Sequence, residues 1–92
     1  MGRHVFTALE RRLTGILNVL SDELSVSERR EVEGFIEASE YGVALETLCA
    51  LLVEEKKRIT PEAFAEISEL ADLMGIRSTT ITNELQLRVS PG

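Results

Sequence analysis

Four segments of the chain repeat their apolar residues at steps of three and four positions, the spacing that places side chains on one face of an α-helix. The segments cover about residues 5–20, 27–39, 42–56 and 60–75. Helices joined by such short connections turn back on one another. We therefore expect an all-α fold, a compact antiparallel bundle of four helices with short loops, in which the third helix is packed by the other three.

Capping and turn residues mark several helix boundaries. Ser25 and Glu28 have the spacing of a capping box, in which each side chain bonds the backbone amide of the other residue. Thr60-Pro61-Glu62 predicts a helix start, because it combines a capping hydroxyl, a proline without an amide hydrogen and an acid in the first turn. Gly75 predicts a Schellman end for that helix. Gly42 predicts the sharp turn between the second and third helices, because glycine accepts a positive φ.

The end of the chain departs from the helical pattern. Leu85, Leu87 and Val89 alternate like a strand, whereas Ile81 and Leu85 fit a helical step. We expect a helical domain over residues 1–76 and a tail of ambiguous structure over residues 77–92.

Negative charge is concentrated in the middle of the chain. Between Asp22 and Gly75 fourteen acidic residues stand against five basic ones, a local balance of −9, whereas the whole chain carries −6. This charge disfavours nucleic acid and anionic membranes as partners and favours a basic protein surface. The longest apolar run, residues 48–53, is too short to cross a bilayer. Charged residues interrupt any signal-peptide core near Val5-Phe6, so we expect a cytoplasmic protein.

Residues that could carry chemistry are scarce. The single histidine, His4, lies near the N-terminus, and the single cysteine, Cys49, falls within an apolar helical stripe where an inert small hydrophobe usually sits. Acyl or proton transfer requires a nucleophile beside a base, and a structural zinc site requires clustered Cys or His. We therefore expect no enzymatic activity, no metal site and no cofactor.

Two rows of carboxylates lie opposite the predicted apolar faces. The first acidic stripe is Glu33, Glu37 and Glu40, opposite an apolar face formed by Val32, Phe35, Ile36 and Ser39 in the second helix. The second acidic stripe is Glu62, Glu66, Glu69 and Asp72 in the fourth helix. Most charged helix faces serve solubility alone. Tyr41 stands beside the predicted turn, where it can act as an interface anchor or cap the core.

A helix-turn-helix regulator is a competing interpretation. Leu70-Ala71, Met74-Gly75-Ile76 and Ile81 have suitable spacing, and residues 79–87 would form the recognition helix. That segment supplies only Asn83 and Gln86 for base edges, with Arg77 and Arg88 at its flanks. The preceding helix, which should approach the phosphates, is acidic. A generic helical adaptor that binds a peptide is a further alternative.

A longer pattern spans 50 of the 92 residues, from Ser27 to Ile76. Its central run is Glu40-Tyr41-Gly42-Val43-Ala44-Leu45-Glu46-Thr47-Leu48, followed by Ile59-Thr60-Pro61-Glu62 and by Leu70-Ala71-Asp72-Leu73-Met74-Gly75-Ile76. In these motifs the chain resembles the MafI-type immunity proteins, small cytoplasmic partners of secreted bacterial toxins.

The resemblance implies a protein that binds its cognate toxin and blocks the active or substrate-binding surface without performing chemistry. A nuclease toxin would have a cationic substrate groove, where carboxylates at helical spacing can stand in for phosphates. The expected toxin-binding residues are Glu33, Glu37, Glu40, Tyr41, Glu62, Glu66 and Glu69.

Overall fold

Four α-helices form in the part of the chain that the computed structural model describes, residues 2–76 and 83–89, with side chains from residue 8 onward. They are α1 (Gly2–Val19), α2 (Val26–Glu37), α3 (Tyr41–Glu54) and α4 (Pro61–Leu73), and a short 3-10 helix, η1, covers Gln86–Arg88. The expected all-α bundle is confirmed. None of the described helices combines the length and the hydropathy of a membrane-spanning helix.

The starts of α2 and α4 follow the predicted capping signals. The Ser25 hydroxyl accepts a hydrogen bond from the Glu28 backbone amide at 3.1 Å, and Glu28 Oε1 accepts one from the Ser25 amide at 2.8 Å, which completes the capping box. Thr60 Oγ1 accepts a hydrogen bond from the Ala63 amide at 3.1 Å, with Pro61 as the first helical residue. These bonds satisfy backbone amides that have no partner within the helix.

A Schellman motif ends α4 as predicted. Gly75 adopts a φ of 70°, the Ile76 amide donates to the Ala71 carbonyl at 2.9 Å, and the Gly75 amide donates to the Asp72 carbonyl at 3.1 Å.

The same motif ends α2 and α3, but with residues other than glycine. Ser39 has a φ of 62° and Lys56 a φ of 52°, and the residue after each donates back to Phe35 and Leu52 respectively. The prediction that Gly42 makes the turn is wrong, because the positive φ is needed directly after α2 ends and Gly42 lies inside α3. The expectation that Ser39 faces inward is also wrong. Ser39 lies in the turn that follows α2, not in the helix, and its side chain is exposed.

The core is wholly apolar. No charged or polar side chain is buried within residues 8–76 and 83–89. Both α1 and α3 contact the other three helices, so α1 shares the central position predicted for α3. The buried residues of the helices are Leu13, Ile16 and Leu17 in α1, Val32 and Ile36 in α2, Tyr41, Ala44, Leu45, Leu48, Cys49 and Leu52 in α3, and Ala63, Ile67, Leu70 and Ala71 in α4.

Residues 83–89 pack onto the helical core. Leu85 is fully buried, whereas Leu87 is 76% exposed. Val89 forms a parallel β-bridge with Ile59 in the loop before α4, and the Ile59 amide donates to the Arg88 carbonyl at 3.1 Å. Of the recognition helix considered above, residues 79–82 lie outside the described residues.

Candidate functional site

The acidic side chains are at the surface and few of them are neutralised. All sixteen lie in the described part of the chain, and none is buried. The ion pairs among described residues are Arg12–Glu66 at 3.3 Å, Arg12–Glu69 at 3.1 Å, Arg29–Glu33 at 2.9 Å and Lys57–Glu28 at 3.2 Å. Four of the sixteen acids take part, which leaves twelve without an ion pair to a described residue. The helical frame therefore presents a strongly negative exterior.

The first acidic stripe is divided by the turn after α2. Glu33 and Glu37 line a cleft of about 240 Å³ between α1 and α2, together with Glu10. Glu40 lies beyond the end of α2, in the turn that Ser39 makes, and lines a different depression. The reversal of the chain at Ser39 breaks the helical spacing, so the structure does not bring Glu40 into the cleft.

Tyr41 belongs to the core. Only 8% of the residue is exposed, and it packs within the buried apolar cluster at the start of α3. Of the two roles considered from the sequence, burial supports the role of core cap. Beside it, a shallow depression that includes Glu40 is flanked by Val43 and Leu73, which are 40% and 63% exposed.

The second acidic stripe borders an apolar groove between α1 and α4, which we call the α1–α4 groove. Its volume is about 290 Å³, and its apolar lining is formed by Gly15, Ile16, Val19 and Ala63. Arg12, Glu62 and Glu66 supply its charged edge. Val19 is 65% exposed, so an apolar side chain already faces solvent here. An apolar centre with a charged rim is the usual anatomy of a protein interface.

Arg12 distinguishes the carboxylates of the second stripe from one another. Its guanidinium Nη2 bonds Glu66 Oε2 at 3.3 Å and Glu69 Oε1 at 3.1 Å, which ties α1 to α4. Glu69 is not part of the groove lining. Glu62 lines the groove, is exposed and has no ion pair to a described residue. Glu62 is therefore the carboxylate of this stripe that is both at the groove and available to an external cation.

The groove contains residues that the sequence did not single out. Arg12, Gly15 and Val19 recur at helical steps along α1, a signal that could have indicated a shared face. The sequence could not show that this face lies beside Glu62, because that depends on how α1 packs against α4. Glu10, which joins Glu33 and Glu37 in the α1–α2 cleft, was missed for the same reason.

Two kinds of reactive group can be assessed among the described residues, the thiol of Cys49 and the clusters of possible metal ligands. Burial, followed in effect by the charge of Glu46, raises the pKa of the Cys49 thiol to about 12, so the thiol is protonated at neutral pH. Within residues 8–76 and 83–89, no group of His, Cys, Asp and Glu side chains is placed to hold a metal ion. The surface is suited to binding another molecule through charge and apolar contact.

Comparison with protein-family models, with curated proteins and with solved structures finds no match for this chain. The resemblance to the MafI-type immunity proteins therefore rests on the pattern of residues 27–76 and stays a prediction.

Proposed function

We propose that this chain is an immunity protein that binds a cognate secreted bacterial toxin and covers its active or substrate-binding surface through acidic helix faces. The observation that carries the proposal is the excess of exposed carboxylates without ion pairs on a rigid helical bundle. A surface of this kind attracts a basic partner over long range and raises the association rate above the roughly 10⁵–10⁶ M⁻¹s⁻¹ of an unsteered pair.

A nuclease is the toxin class that this charge fits best. The substrate groove of a nuclease must attract phosphates, so a protein that presents fixed carboxylates can occupy it in place of the substrate. The proposed activity requires no chemistry from the immunity protein, in keeping with the protonated, buried thiol of Cys49. Salt should weaken the complex, because ions screen exposed charges over a Debye length of roughly 8 Å at physiological ionic strength.

The charge of α4 argues against the alternative of a DNA-binding regulator. In that alternative α4 would approach the phosphate backbone, yet it exposes Glu66, Glu69 and Asp72. Phosphate contacts supply most of the non-specific affinity for DNA, and carboxylates on this helix would oppose them. Binding to duplex DNA that falls steeply with salt would nevertheless support the regulator and overturn the immunity proposal.

The test begins with the protein encoded by the reading frame directly upstream, since an immunity gene normally follows the gene of its toxin. Co-expression should protect cells from that protein, and the purified pair should bind in competition with the toxin's substrate. Simultaneous binding of the substrate and this chain would overturn the occlusion mechanism. Absence of both binding and protection would overturn the proposed function.

Charge reversals then identify the acidic face that makes the contact. Glu33→Lys/Glu37→Lys changes the α1–α2 cleft, and Glu62→Lys/Glu66→Lys changes the α1–α4 groove. Glu54→Lys/Glu55→Lys is a matched control, because it alters net charge equally, lines none of the three depressions, and places cations at the C-terminal end of α3 where they suit the helix dipole. We expect at least one of the two face variants to weaken binding more than the control does.

A further inference from the structure

The geometry points to the α1–α4 groove as the anchor site for an apolar side chain of the toxin, next to a toxin Lys or Arg that pairs with Glu62. This inference rests on the proposed function and names the contact that makes binding specific. The occupant is a basic, amphipathic segment of the partner, helical or extended, that presents one large aliphatic or aromatic side chain beside a cation.

The lining of the groove supports an apolar anchor. Gly15, Ile16, Val19 and Ala63 form its interior, and the space of about 290 Å³ lies near the lower end of the size range for ligand pockets. The space beside Gly15 is open, because a Cβ added there would meet nothing within 4 Å. A few side chains, most often Trp, Tyr or Arg, that enter well-packed pockets near the centre of an interface supply most of its binding energy.

The carboxylates at the two ends of the groove differ in whether they already hold a cation, which orients the partner. Arg12 pairs with both Glu66 and Glu69 at one end, so those two carboxylates are already engaged, although together the three groups keep a net charge of −1. Val19 lies two helical turns further along α1, and Glu62 lies one turn before Glu66 on α4. Both line the same groove. A partner cation is therefore favoured beside Glu62, which has no ion pair to a described residue, because at the other end the Arg12 guanidinium already occupies the carboxylates of Glu66 and Glu69.

The α1–α2 cleft offers a weaker basis for specificity. Glu10, Glu33 and Glu37 surround Ile36 as the one apolar side chain of its lining. Such a cleft can contribute to long-range attraction but has little apolar area for an anchor. The α1–α4 groove combines both requirements in one place.

A pair of glycine substitutions separates filling of the groove from other effects. Gly15→Leu places a side chain in the groove, whereas Gly34→Leu makes the same change on α2, and an added Cβ has open space at both positions. Leucine is a stronger helix former than glycine, so both variants should fold at least as stably as the parent chain. Circular dichroism and thermal unfolding of each variant establish this before binding is measured.

We expect Gly15→Leu to weaken binding of the upstream-encoded protein by about 10-fold to 100-fold, because it excludes one apolar anchor. Gly34→Leu should leave the affinity unchanged. Glu62→Gln should weaken binding by about two-fold to five-fold more than Glu31→Gln, which removes an equal charge from an exposed position of α2. Equal binding by the two leucine variants would overturn the groove as the contact, while protection by the parent chain would leave the proposed function standing.

A defined probe tests the groove independently of the toxin. A synthetic amphipathic peptide of repeating Leu-Lys-Lys-Leu units should perturb the backbone amide signals of Gly15, Val19 and Ala63 in NMR spectra, and Gly15→Leu should abolish the effect. Perturbation of these amides, with neither binding of the upstream-encoded protein nor protection against it, would support the groove as a site for a basic amphipathic segment and overturn the proposed function. If the signals of these amides instead shift when the protein concentration is raised in the absence of peptide, a second copy of this chain occupies the groove. That result would overturn the inference.

Discussion

Removal of the Leu85 side chain should destabilise the whole bundle, although Leu85 lies outside the four α-helices. Leu85 is fully buried and belongs to the same apolar core as residues of α1, α3 and α4. Leu85→Ala removes three carbons, worth about 2.4 kcal/mol at roughly 0.8 kcal/mol per methylene. Incomplete collapse of the resulting cavity brings the expected loss in the free energy of unfolding to about 2.5–4 kcal/mol.

Leu87→Ala is the matched control, since it makes the same chemical change two residues away at a position that is 76% exposed. A chain of 92 residues has an unfolding free energy of roughly 5–14 kcal/mol, so the loss at Leu85 is a large fraction of the total. Urea unfolding followed by circular dichroism measures both variants. Thermal unfolding should show Leu85→Ala lower in Tm by about 10–25 °C and Leu87→Ala close to the parent chain. Equal stability of the two variants would refute the packing of residues 83–89 onto the core.

Three further outcomes are expected. Ser39→Gly and Lys56→Gly should each raise the free energy of unfolding by about 0.5–1 kcal/mol, because relief of the left-handed backbone conformation outweighs the added entropy of the unfolded chain; a loss of stability in urea titrations would contradict this. The Cys49 thiol should resist a disulfide reagent at pH 8 in the native state and react as urea unfolds the chain, and rapid native labelling would show that it is accessible. The hydrogen bond from the Ser25 backbone, followed by that from Lys57, lowers the pKa of Glu28 below 4.5, so its stabilising effect should be present above pH 4.5 and disappear as pH falls through the lowered value. The difference in urea midpoint between the parent chain and Glu28→Gln should accordingly shrink on acidification, and a difference independent of pH would exclude this role.

Several features of the fold were predictable because their causes are local. The capping box at Ser25 and the start of α4 at Thr60 depend on side chains within three residues of the amides they bond. The end of α4 followed from Gly75, the residue type that most readily takes a positive φ. Burial of Cys49 followed from the apolar spacing of α3.

Other features depend on parts of the chain that are distant in sequence. Arg12 and Glu66 lie 54 positions apart, so only the packing of α1 against α4 reveals their ion pair. The turns at Ser39 and Lys56 have no glycine, and neither side chain indicates that its backbone is left-handed. Leu85 fits both a strand and a helical pattern, and its burial depends on the packing of residues 83–89 against core residues that are distant in sequence.

The candidate site was predictable in composition but not in arrangement. The periodicity correctly placed Glu33, Glu37, Glu62 and Glu66 on the exterior. It did not reveal the division of the first stripe at Ser39. Nor could it show that Arg12 pairs with part of the second stripe, because spacing along one helix carries no information about its neighbours.

The wholly apolar core has a consequence for how this protein can change. No Asp, Glu, Lys, Arg, Asn or Gln side chain is buried among its described residues, so charged surface residues can be substituted without removing an ion partner of the interior. An exposed ion pair such as Arg12–Glu69 is worth roughly 0–1 kcal/mol, and its exchange leaves the fold intact. Such a scaffold can acquire a new partner one surface residue at a time, with each intermediate still folded.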